Sequence, residues 1–265
     1  MPPDLQLDRD GPVVTLTLAR PERRNALSRG LMRAIVEACT ELRDDAEARV
    51  IVLRGAGSDF SVGVDLKDPE SAELAGADLG TRRRAQQLGP RMVQAVLDLP
   101  QTTIVSMHGW CLGGGGCLAL ACDLRVMASD ARFGMPEVQR GMNMSWRTVP
   151  LMVTTFGATR TKELLLTGRH VGADEALMWG LASRIVPGSG AEAHAEAARW
   201  ATELAQSVPP LAAAMVKETV NAVATALTPM VHMDADQHLL AQHTEDFRES
   251  ISAFLDKRPA RFRGR

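Results

Sequence analysis

The run His108-Gly109-Trp110-Cys111-Leu112-Gly113-Gly114-Gly115-Gly116-Cys117-Leu118-Ala119-Leu120-Ala121 passes from a β-like stretch through four glycines into an apolar, helix-forming segment. Glycine lets a backbone approach a ligand closely, and the first turn of a helix offers free N–H groups at the positive end of the peptide dipole. Negative charge developing on a carbonyl oxygen suits such a place. Phosphate does not, because no Gly-Lys-Ser/Thr follows the glycines and no Gly-x-Gly-x-x-Gly register fits. The same glycines also read as easing a tight strand-to-helix turn. A second turn, Asp59-Phe60-Ser61-Val62-Gly63-Val64-Asp65-Leu66-Lys67, follows the apolar stretch Val50 to Leu53 and can present an N–H of its own. Two such donors make an oxyanion hole, in which one lost donor typically costs about 3 kcal/mol. A serine hydrolase is disfavoured, since no Gly-x-Ser-x-Gly elbow occurs.

These turns need a scaffold. Val13 to Leu18 alternates valine and leucine with threonine and reads as a strand, closed by Arg20-Pro21-Glu22. Ser28 has the character of an N-cap, and Leu31, Ile35, Ala38 and Leu42 fall on one face of the helix it would start. Val50 to Leu53 and Thr103 to Met107 are strand-like, and Leu88 to Leu97 is helical in pattern. Alternation of this kind implies crossover connections and a largely parallel sheet, an α/β fold. After Lys162 the strand signal fades, with Ser183 to Val186 the last short candidate. Leu211 to Leu227 and Val231 to Leu255 read as long helices. The expected division is a core over residues 1–200 and a helical oligomerisation region over 201–265, whose apolar faces suit packing against another subunit. Residues 68–90, with Asp-Pro, three successive arginines and Gly-Pro, read as a mobile loop-like insert.

The 265 residues suit one large domain, and 45% hydrophobic with 23% charged residues is the profile of a folded globular chain. A formal charge of -2 recruits neither nucleic acid nor an anionic membrane, so an anionic ligand must be held locally. Four cysteines without a Cys-x-x-Cys pair read as reduced thiols in the cytoplasm, and the six histidines fall in no metal-ligand spacing. The start of the chain lacks a signal-peptide pattern, and no apolar run reaches the roughly 18 residues of a membrane span. There is no tyrosine, so no phenol can act as an acid or an oxyanion donor.

Several stretches together carry a resemblance to the enoyl-CoA hydratase/isomerase (crotonase) family. Asp59 to Leu66 resembles its F-[SC]-A-G-x-D-[LI] motif, and His108 to Asp123 its N-G-x-A-x-G-G-G-x-x-L-x-x-x-C-D motif. Arg20 to Leu27, Ala131 to Glu137, Leu166 to Arg169, Ala176 to Leu181 and Ala253 to Arg258 are similar to further family segments, almost end to end. The resemblance implies the crotonase (ClpP-like) spiral of ββα repeats, with C-terminal helices that build a homotrimer, often paired into a hexamer. It implies an acyl-CoA thioester substrate, with coenzyme A part of the substrate and no permanently bound cofactor. On this basis the oxyanion hole is the N–H of Val64 and of Gly114, and Glu137 is the acid/base. The implied substrate-binding set is Arg24, Ala26, Asp65, Lys67, Trp110, Cys117, Met142, Ser145, Phe254 and Lys257. Among these, Lys67 and Lys257 match positions at the coenzyme A phosphates, and Phe254 one that reaches a neighbouring subunit's adenine.

Two departures bear on the reaction. Family hydratases carry a second glutamate, and this chain has Cys117 there, six before Asp123 and twenty before Glu137. Hydration usually engages two carboxylates on one water, whereas a proton shuttle between Cα and Cγ needs one. The single-glutamate pattern favours Δ3,Δ2-enoyl-CoA isomerisation; enoyl-CoA hydration of the fatty-acid β-oxidation type and a catalytically silent acyl-CoA binder stay open. Beyond Gly141, the common P-G-x-G-G-like loop is replaced by Met142-Asn143-Met144-Ser145-Trp146-Arg147. Ser145 stands where dienoyl isomerases and a dehalogenase of the family place an aspartate, so neither activity is supported. Met142, Met144 and Trp146 read either as an adaptable acyl wall or as core.

Overall fold

The structure is a computed structural model that describes residues 4–225 and 231–263. Strands β1 (Leu5–Asp10) and β2 (Val13–Leu18) form a hairpin across Gly11, whose φ of +54° suits glycine. Helix α1 (Arg29–Arg43) follows, and Ser28 caps it as its type foretells, its hydroxyl accepting the Leu31 N–H at 3.1 Å. Strand β3 (Val50–Gly55) then pairs parallel with β2.

Residues 68–90 are helical rather than loop-like, as α2 (Pro69–Ala75), α3 (Leu79–Gln86) and the start of α4 (Leu88–Leu97). Pro69 opens α2 with the φ that a first helical turn needs, and Asp78 caps α3 by accepting the Thr81 N–H at 3.0 Å. The glycines and prolines that point to a loop mark the joints between short helices.

Strand β4 (Thr102–Met107), short strand β5 (Trp110–Leu112), α5 (Gly114–Ala121), β6 (Leu124–Ala128) and β7 (Arg132–Gly134) come next. After them lie α6 (Thr148–Thr167), bent at Gly157, then β8 (His170–Gly172), α7 (Ala173–Met178), β9 (Arg184–Val186) and α8 (Gly190–Ser207). The main sheet has the order β1-β2-β3-β4-β6-β9, parallel from β2 onward, and a smaller sheet has the order β5-β7-β8. Two successive passes, β4-β5-α5 and β6-β7-α6, run from a main-sheet strand to a small-sheet strand and on to a helix.

One face of the main sheet is buried by α1, α4 and α5, where Leu31, Ile35, Met92, Val93 and Leu118 join the largest apolar cluster. The other face carries Val50, Val52, Ile104 and Val126 and is covered by Ala193, Ala197, Ala201 and Ala205 of α8. Alanines four apart share one helix face, and their small side chains let α8 lie close on the strands.

Helix α9 (Pro210–Thr225) is followed by α10 (Val231–Ala241) and α11 (Glu245–Leu255). Residues 226 and 227, the end of the expected helix from Leu211, lie outside the described residues. The single helix expected from Val231 to Leu255 is broken at Thr244, whose side chain accepts the Phe247 N–H at 3.1 Å and caps a new start. Among the described residues, no helix is long and apolar enough to cross a membrane.

Candidate active site

The two glycine-bearing turns lie side by side. Ser61 donates its N–H to Trp110 O at 3.0 Å and accepts the Leu112 N–H at 2.9 Å, a bridge that sets the Gly63-Val64 turn against the start of α5. The contact admits no side chain: a Cβ on Gly63, whose φ is +90°, would fall 2.9 Å from Leu112 O and 3.3 Å from Gly114 N. Gly114 is the first residue of α5, so its N–H has no carbonyl four residues back. Gly63 O and Asp65 N are both held by Leu27, at 2.7 and 3.0 Å, which turns the Val64 N–H between them to the opposite edge. Among the described residues neither N–H has a hydrogen-bond acceptor outside helix and strand ladders. The pair expected to form an oxyanion hole is thus brought together with its donors available.

Asn25 holds this region from beneath. Fully buried in the left-handed conformation, it donates from Nδ2 to Ala56 O at 2.7 Å and to Asp59 O at 2.8 Å, and its own carbonyl accepts the Ser61 hydroxyl at 2.8 Å. Sequence reasoning did not single out this residue; an asparagine, a type that tolerates positive φ, after Arg23-Arg24 is the one signal the sequence offers.

Glu137 sits on the 3-10 turn Pro136–Arg140 and points back at the glycines. A Cβ on Gly113, whose φ is +50°, would lie 2.5 Å from Glu137 Oε1. The residue as a whole is half-buried, but Oε2 is shut off from solvent and has no hydrogen-bond partner. Burial pushes the carboxyl up to about 7, against the opposing pull of its own backbone N–H and of the Arg140 charge. A carboxyl poised near neutral pH both takes and returns a proton.

Glu137, Val64 and Gly114 share one cavity of about 390 Å³ with Asp65, Cys117, Met142, Ser145 and Trp146. Trp146 is seated by two glycines: a Cβ on Gly114 would lie 2.5 Å from Cζ3, and one on Gly89 would lie 1.9 Å from Cε2. Trp146 and Arg147 both adopt positive φ, +59° and +61°, a conformation that costs a side-chain-bearing residue and is held here by the buried indole. Met144 and Trp146 are at once cavity wall and core. Cys117 Sγ lies 2.7 Å from Thr148 Oγ1, whose hydroxyl donates to Ser145 O at 2.6 Å, so the thiol is the donor to Thr148. Asp65 lines the cavity with its carboxylate turned to Arg20, 3.0 Å away.

The remaining candidates lie outside this cavity. Arg24 is bound by Asp59 through contacts of 2.8 and 3.1 Å, which raise its guanidinium pKa further. Ala26 is buried, its carbonyl accepting from Arg20 at 2.6 Å. Trp110 stands edge-on to His170, 4.9 Å between ring centroids, in the small sheet. Lys67 and Lys257 are exposed, and Phe254 is 55% exposed with the Arg140 guanidinium 5.3 Å from its ring centroid. The cavity also takes wall residues from α3, α10 and the turn after it, among them Arg82, Gln86, His238 and Gln242, which no motif marked. No group of three or more potential metal ligands is gathered among the described residues.

The chain is similar to known proteins along its length. A Thermus thermophilus protein provisionally named an enoyl-CoA hydratase is 36% identical, with 95% of this chain and 98% of that protein covered. The carnitinyl-CoA dehydratase of Salmonella enteritidis is 33% identical, with 100% of both chains covered. The solved structure of an enoyl-CoA hydratase from Mycobacterium avium subsp. paratuberculosis superposes with a TM-score of 0.86 at 26% identity, covering 98% of each chain. The fold is therefore the crotonase α/β spiral, and the family model for enoyl-CoA hydratase/isomerase matches residues 8–265. The chain belongs to the enoyl-CoA hydratase/isomerase family, as an enzyme of the crotonase superfamily that acts on acyl-CoA thioesters.

Proposed function

We propose that this enzyme isomerises a 3-enoyl-CoA to the 2-enoyl-CoA with Glu137 as its one acid/base. The thioester oxygen accepts hydrogen bonds from the Val64 and Gly114 N–H groups, which acidifies the α-proton. Glu137 takes that proton, and the C–H electron pair delocalises through the carbonyl and the neighbouring double bond as a dienolate. Glu137 returns the proton at Cγ, leaving the double bond between Cα and Cβ. The observation that carries this reading is the Glu137 carboxyl itself, buried against Gly113 with Oε2 unpartnered. Asp65, the other carboxylate in the cavity wall, is paired with Arg20, and Cys117 is tied to Thr148.

A second reading, hydration of a 2-enoyl-CoA or the reverse dehydration, is favoured by the hydratase and dehydratase names of the relatives. Glu137 would then activate water alone. A silent binder fits poorly with a carboxyl held near neutral pKa. In the same proposal Lys67 and Lys257 meet coenzyme A phosphates and Phe254 its adenine. The helices beyond residue 200, with Leu211, Met215 and Val220 exposed on α9, assemble a trimer or a hexamer.

The test is turnover of a trans-2-enoyl-CoA and a 3-enoyl-CoA by the purified protein, read by mass spectrometry of the thioesters. Conversion of the 3-enoyl to the 2-enoyl isomer without added mass supports isomerisation. Gain of one water on the 2-enoyl substrate replaces it with the second reading.

A further inference from the structure

The cavity wall where α3, α10 and the 142–146 loop meet is polar, in contrast to Met142, Met144 and Trp146 beside it. Arg82 reaches His243 Nε2 at 3.3 Å and Gln242 Oε1 at 3.4 Å, and Gln86 donates to the same Gln242 oxygen at 3.4 Å. Gln242 in turn contacts His238, and His238 Nδ1 lies 3.2 Å from the Asn143 carbonyl. Arg82, Gln86, Asn143, His238 and Gln242 all line the cavity that holds Glu137.

This wall is rich in donors and short of negative charge. Arg29, another cavity arginine, is neutralised by Glu70 at 2.9 Å. No carboxylate pairs with Arg82 among the described residues, and its contacts to His243 and Gln242 are long; Arg140 lies over the Phe254 ring, with its charge acting on Glu137. A guanidinium in a cavity wall with no acid partner is a ready site for a carboxylate, which it binds through a fork of two N–H donors.

We infer that the acyl group this enzyme accepts ends in a carboxylate, received by Arg82 with the amides of Gln86 and Gln242 beside it. The inference deepens the acyl-CoA reading and rests on this cavity holding the acyl chain. A plain hydrocarbon terminus would leave the polar wall without a partner, and a quaternary ammonium such as the carnitinyl group would meet Arg82 with like charge. A phosphate of coenzyme A offers the same anionic chemistry, so the experiment must separate the two sources.

Calorimetric dissociation constants would be measured on the intact protein for glutaryl-CoA against pentanoyl-CoA and for adipoyl-CoA against hexanoyl-CoA, pairs matched in carbon number. A charge-assisted hydrogen bond is worth about 1.5 to 3 kcal/mol, a preference of roughly 10- to 150-fold for the carboxylated member of at least one pair. R82Q is expected to abolish that preference while leaving pentanoyl-CoA and hexanoyl-CoA within about threefold of the parent, and R82K to restore part of it. Equal or tighter binding of the uncarboxylated members by the parent protein overturns the inference and leaves the acyl-CoA reading standing. Equal weakening of all four ligands by R82Q also overturns it, and assigns Arg82 to coenzyme A. Failure of all four to bind removes the acyl-CoA reading of the cavity and this inference together.

Discussion

Replacing Glu137 with glutamine should change stability in a way that depends on pH. The folded protein raises the carboxyl from 4.5 to about 7 because burial of its charged form outweighs the pull of its own backbone N–H and of the Arg140 charge. At about 1.4 kcal/mol per pKa step, ionised Glu137 costs the fold about 3 kcal/mol. Below pH 4.5 the group carries its proton in both the folded and unfolded chain and adds no difference. Between pH 4.5 and 7 the unfolded chain ionises while the folded one keeps its proton, so stability falls as pH rises. Above 7 both are ionised and the full penalty remains. Glutamine keeps the shape and never ionises. Glu137→Gln should therefore match the parent near pH 4.5 and be more stable by about 3 kcal/mol at pH 8, or about 5 to 10 °C in Tm for a domain of this size. Thermal unfolding by circular dichroism at pH 5, 6, 7 and 8 would read this. A stability difference that stays constant across the series would refute the burial argument, whatever the variant's activity.

The same group sets the reaction's pH response: kcat/KM should rise about tenfold per pH unit up to about 7, because the ionised carboxylate takes the proton, and a flat profile would remove Glu137 as the base. Glu137→Gln should lower turnover by about 10²- to 10⁴-fold with the coenzyme A dissociation constant nearly unchanged. Gly113→Ala places a methyl 2.5 Å from Glu137 Oε1 on a backbone with φ of +50°. It should cost about 1 to 3 kcal/mol and most of the activity, with parent-like turnover counting against the observed Glu137 position. Cys117→Glu removes the Thr148 contact and buries a carboxylate, so Tm should fall while hydration of a trans-2-enoyl-CoA appears or rises. No gain in hydration would mean that the missing second glutamate is not what limits it.

Much of the site was legible because its parts are local. Donors built from backbone N–H groups need glycine where the chain makes a tight approach, so Gly63 and the run Gly113 to Gly116 announced both turns before any fold was known. The Ser28 cap and the valine-rich strands follow equally short-range rules. Residues 68–90 misread as a loop because two helices of seven and eight residues hold too few positions for periodicity to outweigh their glycines and prolines.

By itself, then, the sequence determined the α/β rhythm and the two glycine turns, and its resemblance to the family singled out Glu137 as the expected acid/base, with Cys117 in place of a second glutamate. The tertiary structure alone decided what surrounds them. Trp146 is seated by Gly89 and Gly114, and the polar wall joins Arg82 to Gln242, 160 residues away in the chain. The raised proton affinity of Glu137 likewise runs against its neighbours in sequence, since its own backbone N–H and Arg140 pull the other way. It arises from the low-dielectric cavity that distant segments close around the carboxyl, and a desolvation energy depends on every atom that displaces water.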